Sequence, residues 1–259
     1  GSADPGECLA DAVIREVWEE TGLLVEPLRV TGVYGGPDFR VTYANGDRVG
    51  RMVTAFECRL VGGDLRPDRD EVAELGCFSR DEIAGLEIAP WLPSVLEDAF
   101  SRDGNGGARF QASSWHPPAD GVRSGGMSSY LQAVRQKVGH DLLLLPAVTG
   151  VIEDEEGRVL MQKRSDNGEW HLPAGAIEPD ESPAQAVVRE VWEETGLLVE
   201  PLRVTGVYGG PDFYVTYPNG DRIVVYSVVF ECRVIGGRAS PDGVESVGVC
   251  YFPPQVAQD

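Results

Sequence analysis

The chain has 259 residues, 42% of them hydrophobic and 25% charged, with a formal net charge of −20 at pH 7. That length holds one large domain or two small ones, with enough apolar content for packed cores. The acidic balance argues against nucleic-acid binding and against a membrane-surface protein, since both require basic patches. It leaves open a small phosphorylated ligand bridged by cations. The cysteines, Cys8, Cys58, Cys77, Cys232 and Cys250, show no CxxC spacing. Free thiols in a reducing compartment, and so a cytoplasmic location, are expected. No secretory signal or membrane-length apolar run is visible.

An internal repeat organises the rest. Residues 1–85 align with 175–259 at a constant offset of 174, and 48 of the 85 positions are identical, including all of Arg15–Phe39 against Arg189–Phe213. Gly1 falls on a motif glycine and Asp259 on Gly85, so the chain reads as a piece of a longer tandem protein, cut inside a repeat at each end. In the first copy, a loop leads to a helix whose start is weak, because Cys8 and Leu9 stand where the second copy has Ser182 and Pro183. Leu28–Tyr34 reads as a strand ending in a Gly-Gly-Pro loop. Val41–Tyr43 and Arg48–Leu60 read as a hairpin turned by Asn45-Gly46 in a type I′ turn. Leu75–Phe78 is expected as a short strand, Asp81–Gly85 as a turn or helix, and Trp91–Phe100 as a closing helix. Residues 1–100 therefore form a partial domain. Residues 101–126, rich in Gly, Ser, Pro and Asp and without periodicity, read as a flexible, disordered linker.

The second copy occupies 127–259 and lacks its last helix. Ser128–Val138 has the apolar spacing of a short helix. Leu142–Leu145, Val148–Ile152 and Val159–Lys163 read as strands, and Trp170–Pro173 leads into the repeated segment. Tyr217, Asn219-Gly220 and Arg222–Val234 repeat the hairpin. Only one set of strands, in 142–173, is available to two claimants. Loop closure favours the direct neighbour, 175–259, over residues 1–100, which must reach across about 26 linker residues. The second copy is expected to be the working one.

Gly175–Leu197 carries the chemistry. Ser182 is a suitable N-cap, Pro183 fits the first helical position, Gln185 can close a capping box, and Gly196 ends the helix. Ala184, Val187, Val188, Val191 and Trp192 gather on one face. Glu190, Glu193 and Glu194 gather on another at i, i+3, i+4 spacing. Only Arg189, one turn before Glu193, offsets their mutual repulsion. Converging carboxylates suit a hard divalent cation, and an acidic solvated face is the plainer alternative.

With Gly175, Glu181, Arg189, Val191, Gly196 and Leu197, these glutamates resemble the signature of the Nudix hydrolases at every fixed position. The first copy repeats it with Gly1, Glu7, Arg15, Glu16, Glu19, Glu20 and Gly22. The resemblance implies an α/β fold, a Nudix-type α/β/α sandwich with a mixed sheet, as one near-complete copy plus one partial copy. It implies Mg²⁺- or Mn²⁺-dependent hydrolysis of the pyrophosphate in a nucleoside diphosphate linked to another group: ADP-ribose-like, a nucleotide sugar or a nucleoside triphosphate. Glu190, Glu193 and Glu194 would hold the metal, with Glu181 joining them or holding the loop and Gly175 lending its carbonyl. Arg189 would orient Glu193. Glu245 matches the family's carboxylate outside the signature, a metal ligand or base, and Glu71 is its first-copy equivalent; a solvated loop glutamate is the alternative. Lys163 and Arg164 are candidates for phosphate or ribose contacts, and Phe213 and Tyr217 for stacking on a base. The expected partner is a nucleotide-type small molecule, with pairing between the copies or a homodimer. A nucleotide-sensing module without turnover is the competing function, and the intact signature speaks against it.

Overall fold

A computed structural model describes residues 1–68, 70, 72–101, 107–123, 125–217 and 219–253. The first copy contributes α1 (Leu9–Thr21), β1 (Leu23–Tyr34), β2 (Arg40–Thr42), β3 (Arg48–Gly50), β4 (Val53–Gly63), α2 (Arg80–Ile83) and α3 (Leu92–Phe100). The second contributes α4 (Ser129–Val138), β5 (Leu143–Ile152), β6 (Val159–Arg164), β7 (Trp170–His171), β8 (Ala174–Ala176) and α5 (Pro183–Thr195). After these come β9 (Leu197–Tyr208), β10 (Tyr214–Thr216), β11 (Arg222–Gly237) and β12 (Ser246–Phe252).

The second copy claims the single strand set. β5 runs parallel to β11, from Leu143 opposite Ile223 to Ile152 opposite Cys232. On its other edge β5 pairs antiparallel with β8. β11 is long enough to pair with β10 and then β9 along its far edge. A second sheet has the order β12-β6-β7. Helix α5 packs on β5, β8, β9, β11 and β12, which gives a mixed α/β architecture with this helix at its centre. Gly150 permits the close approach: a Cβ there would lie 2.9 Å from Val191 Cγ2. Val148, Ile152, Val187, Val191, Val228 and Phe230 are fully buried around it.

The start of α5 forms as its caps direct. Ser182 Oγ accepts the Gln185 N–H, the Gln185 side chain accepts the Ser182 N–H, and Gly196 ends the helix at φ 73°. In α1, Cys8 provides no side-chain cap, and Ala12 is the one buried residue.

Four expectations are corrected. Leu75–Phe78 forms no strand. Its second-copy equivalent, β12, exists by pairing with β6, and the described residues of the first copy offer no such partner. The Asn-Gly hairpins are not type I′. Gly46 N–H bonds Tyr43 O and Tyr43 N–H bonds Asp47 O, with Gly46 at φ 90°, which is a type I turn closed by a left-handed glycine. Leu142–Leu145 and Val148–Ile152 merge into one strand through Pro146, whose carbonyl accepts the Ile177 N–H.

The fourth correction concerns the linker, whose described residues 107–123 are docked. Arg109 joins the edge of β1 through Arg109 N–H to Thr31 O and Val33 N–H to Arg109 O, both 2.8 Å. Phe110 meets Phe230 edge-on at 5.2 Å, and Trp115 lies against Trp192 at 5.5 Å. Gln185 Nε2 donates to Ser114 Oγ, and Arg123 donates to the carbonyls of Ser240 and Pro241. A Gly/Ser/Pro composition left no periodic trace of these few large side chains, which find apolar surface on the second copy. Val33 of the first copy is buried within the second copy's core cluster, so the copies pack together. Among the described residues no helix is long and apolar enough to cross a membrane.

Candidate active site

The acidic cluster of α5 is buried: Glu190, Glu193 and Glu194 are 8%, 9% and 4% exposed. Burial of this kind demands compensation, and Arg189 supplies most of it. Its Nε and Nη2 each donate to one Glu181 oxygen at 2.8 Å. Its Nη1 donates to Glu190 at 2.8 Å and Glu193 at 2.9 Å, and Nη2 also reaches Ala176 O. The guanidinium fork thus uses all its donors on three carboxylates and one carbonyl. Glu181 serves as the anchor of Arg189.

Glu194 faces the other way. It accepts the Ala174 N–H at 2.9 Å and a bond from the Gln162 side chain. Burial pushes its carboxyl well above the usual range, and the nearby charges of Glu190 and Glu245 push it further. The Glu190 carboxyl is pushed up to about 7, by burial first, against the pull of Arg189 and with the repulsion of Glu193 and Glu245. Glu245 therefore belongs to the electrostatic cluster. Its loop is fixed by Asp242, which accepts the N–H groups of Val244, Glu245 and Ser246. The Ser246 hydroxyl ties that loop to α5 at Glu194 O, 2.7 Å away.

Gln162 and Ser246 were not anticipated. Both are buried, at 2% and 0% exposure, and bracket Glu194 from strands β6 and β12. A faint signal existed for Ser246, which stands where the first copy has the apolar Val72, directly after the shared glutamates Glu71 and Glu245. Gln162 has no first-copy counterpart in the chain, so the repeat could not mark it.

The remaining candidates divide. Arg164 feels the charges of Tyr217 and Glu194, which brings both Arg164 and Tyr217 to the cluster's edge, and it pairs with Asp166 at 2.6 Å. Lys163 does not join it. Strand alternation puts Gln162 and Arg164 on the α5 side of β6 and Lys163 on the other, beside Gly248 and Trp170. Phe213 packs on Tyr208, in a loop that rests on Cys8 of the first copy, and its described contacts are there. Trp170 meets Phe252 at 4.8 Å as a packing residue, and His171 lies 3.3 Å from Glu169.

The first copy reproduces the arginine clamp and little else. Arg15 bonds Glu7 twice at 2.8 Å, and pairs with Glu16 at 3.1 Å and Glu19 at 3.0 Å. The Glu19 and Glu20 side chains are 45% and 35% exposed, and Glu71 lies outside the described residues. The clamp is thus local to the repeated segment, whereas burial of the carboxylates requires the strands of 143–176.

A divalent cation fits the donor set of the second copy. Hard carboxylate oxygens converge, two of their carboxyls are raised by burial and by neighbouring acidic charge, and any Cβ on Gly175 would fall on the Glu190 carboxylate, so glycine leaves that cradle open. As the side chains lie, no three acidic or His/Cys groups among the described residues are gathered to grip an ion. Arg189 draws Glu190 and Glu193 to itself, and Glu194 turns to Ala174.

Comparison with known proteins gives a consistent picture. The NUDIX domain family profile matches residues 1–99 and 143–259. A MutT-like protein of Streptomyces ambofaciens is 43% identical over 108 residues, covering 42% of this chain and 63% of the relative. An ADP-ribose pyrophosphatase of Methanocaldococcus jannaschii is 41% identical over 105 residues, covering 39% of this chain and 58% of the relative. The chain thus spans about three-fifths of the length of these curated relatives. Among solved structures, an ADP-ribose pyrophosphatase from Streptococcus suis shares 31% identity over 42% of this chain and 73% of its own, with a TM-score of 0.35.

Proposed function

We propose, from the premise that this chain belongs to the Nudix family, that its second copy hydrolyses a pyrophosphate bond with the help of a divalent cation. The substrate class is a nucleoside diphosphate linked to another group, of which an ADP-ribose-like molecule is favoured by the similarity to an ADP-ribose pyrophosphatase. The observation that carries this reading is the burial of Glu190, Glu193 and Glu194 together on one helix, which with the nearby charge of Glu245 raises the Glu190 and Glu194 carboxyls. Clustered carboxyls that hold protons for want of a cation are placed to exchange them for one.

Glu190, Glu193 and Glu194 would hold the ion, most plainly Mg²⁺ or Mn²⁺. When bound, such an ion neutralises phosphate charge and acidifies a water. The residues do the rest. Arg189 keeps Glu190 and Glu193 on one side through the Glu181 anchor. Ala174 N–H and Gln162 hold the Glu194 carboxylate from the other side. Glu245, on its Asp242-fixed loop, would take a proton from the attacking water. Arg164 and Tyr217 would meet phosphate and base at the rim.

Cleavage yields two phosphomonoesters, or a monophosphate and pyrophosphate from a triphosphate. Phosphate release read by malachite green after coupling to alkaline phosphatase (to inorganic pyrophosphatase for triphosphates), over a set of nucleotide substrates with and without Mg²⁺, therefore tests this reading. Mg²⁺-dependent release from a diphosphate substrate is the expected result. Binding of ADP-ribose without release under any cation would transfer the assignment to a nucleotide sensor.

A further inference from the structure

The two copies meet through one set of contacts made twice. In the first crossing, the Gly35-Gly36 loop lies on the turn that opens α5. A Cβ on Gly35 would be 3.2 Å from Pro183 Cδ and 3.4 Å from Glu181 O, and one on Gly36 would be 3.6 Å from Ser182 N. In the second, a Cβ on Gly210 would be 3.8 Å from Cys8 Cα, and one on Gly6 would be 2.5 Å from the Tyr214 hydroxyl. The Tyr226 hydroxyl adds bonds to Asp4 O at 2.7 Å and Glu7 O at 2.8 Å. Under the repeat offset Gly36 corresponds to Gly210, Ser182 to Cys8, Asp180 to Gly6 and Arg40 to Tyr214. A patch used twice with its partners exchanged is a two-fold interface, here closed within one chain.

The crossings differ at one pair. Arg40 makes an ion pair with Asp180, whereas Tyr214 covers Gly6. Both turn residues are left-handed, Asp180 at φ 72° and Gly6 at φ 86°, and Asp180 is the sole non-glycine residue with positive φ among those described. Glycine adopts that conformation freely, and aspartate only against strain. Asp180 directly precedes Glu181, which anchors Arg189, which in turn holds Glu190 and Glu193.

We propose that Arg40 of the first copy is a positioning residue for the acidic site of the second, acting through the left-handed turn at Asp180. It holds that turn so that Glu181 meets Arg189. The first copy thereby takes part in building a site to which it contributes no ligand. This rests on the assignment of the α5 carboxylates as the cation site and adds a control on their arrangement. The matched pairs also select the partner: two second copies would set Tyr214 over Asp180, and two first copies Arg40 over Gly6.

The test uses the full chain with Arg40→Tyr, Asp180→Gly, the double substitution, and Arg40→Lys. Two quantities are read: binding of Mn²⁺ alone, by its paramagnetic resonance, and amide hydrogen exchange over residues 178–186. Arg40→Tyr should weaken Mn²⁺ binding by roughly two- to fivefold, the scale of one exposed ion pair, and speed exchange in that segment with an unchanged melting temperature. The double substitution recreates the second crossing's pair, so it should recover both readings to within about twofold of native, and Arg40→Lys should keep most of both. Native exchange and native Mn²⁺ binding in Arg40→Tyr, or a double variant that shows the sum of the two single losses, would overturn the proposal. Neither readout depends on turnover, so the result stands apart from the identity or existence of a substrate.

Discussion

Replacing Glu190 by Gln should make the cation-free protein more stable, and the gain should depend on pH. The Glu190 carboxyl rises from 4.5 to about 7 on folding. Between those values the unfolded chain has released its proton while the folded protein keeps it. The stability contributed by this bound proton therefore falls as pH rises through this window and is gone above about 7. A rise of about 2.5 pH units at 1.36 kcal/mol each amounts to about 3 kcal/mol. Gln has no proton to lose, and its amide oxygen can still accept from Arg189 Nη1. In EDTA at pH 8, scanning calorimetry should show the variant melting about 6–12 °C above the native chain. At pH 4.5 the two should coincide. Adding Mg²⁺ at pH 8 should close the gap from the native side, because the ion stabilises only the protein that binds it. An equal gap at both pH values, or none at pH 8, would refute the assignment of Glu190 as an uncompensated buried acid.

Glu194→Gln should lower turnover on the order of 10²-fold or more while leaving the circular dichroism spectrum intact; full activity would remove Glu194 from the site. Glu245→Gln removes the proposed base and one of the charges that raise Glu190 and Glu194, so turnover should fall while Mn²⁺ binding, titrated against pH, should persist to lower pH. Trp115→Ala exposes one face of Trp192 and should cost about 2 kcal/mol in urea unfolding, whereas a free tether would show no change. Gly175→Ala places a methyl group on the Glu190 carboxylate and should weaken Mn²⁺ binding by at least about tenfold, measured by calorimetric titration.

Local signals were legible and non-local ones were not. The start and stop of α5 follow from Ser182, Pro183, Gln185 and Gly196, each of which acts on backbone groups within one turn. The Arg189 clamp follows from residues within one signature, which is why the first copy reproduces it through Arg15. The Leu75–Phe78 segment has the composition of a strand, but a strand requires an edge to pair with, and that edge is not written in its own residues. The same holds for Gln162 and Ser246. Their roles arise where β6 and β12 pass Glu194, and neither an isolated glutamine in a strand nor a serine at a strand start announces a buried carboxylate. Asn45-Gly46 and Asn219-Gly220 favour left-handed glycine in more than one turn type, and the hydrogen bonds between Tyr43 and Asp47 decide which one forms.

The parallel pairing of β5 with β11 bears on how the chain is made. The first copy leaves the ribosome before β5 exists, and its β4 is identical to β11 at Phe56, Glu57, Cys58 and Arg59. It would be ready to capture β5 ahead of the proper partner. The upstream half of the ladder prevents that. Val224, fully buried opposite Leu144, and Val225, opposite Leu145, are replaced in the first copy by Gly50 and Arg51. A glycine there would leave a void and the arginine would bring a charge to an apolar seam, each a loss of at least about 1 kcal/mol. The Gly50 and Arg51 positions of a hairpin that shares Phe56–Arg59 with its counterpart thus make β5 wait for the later one to be synthesised.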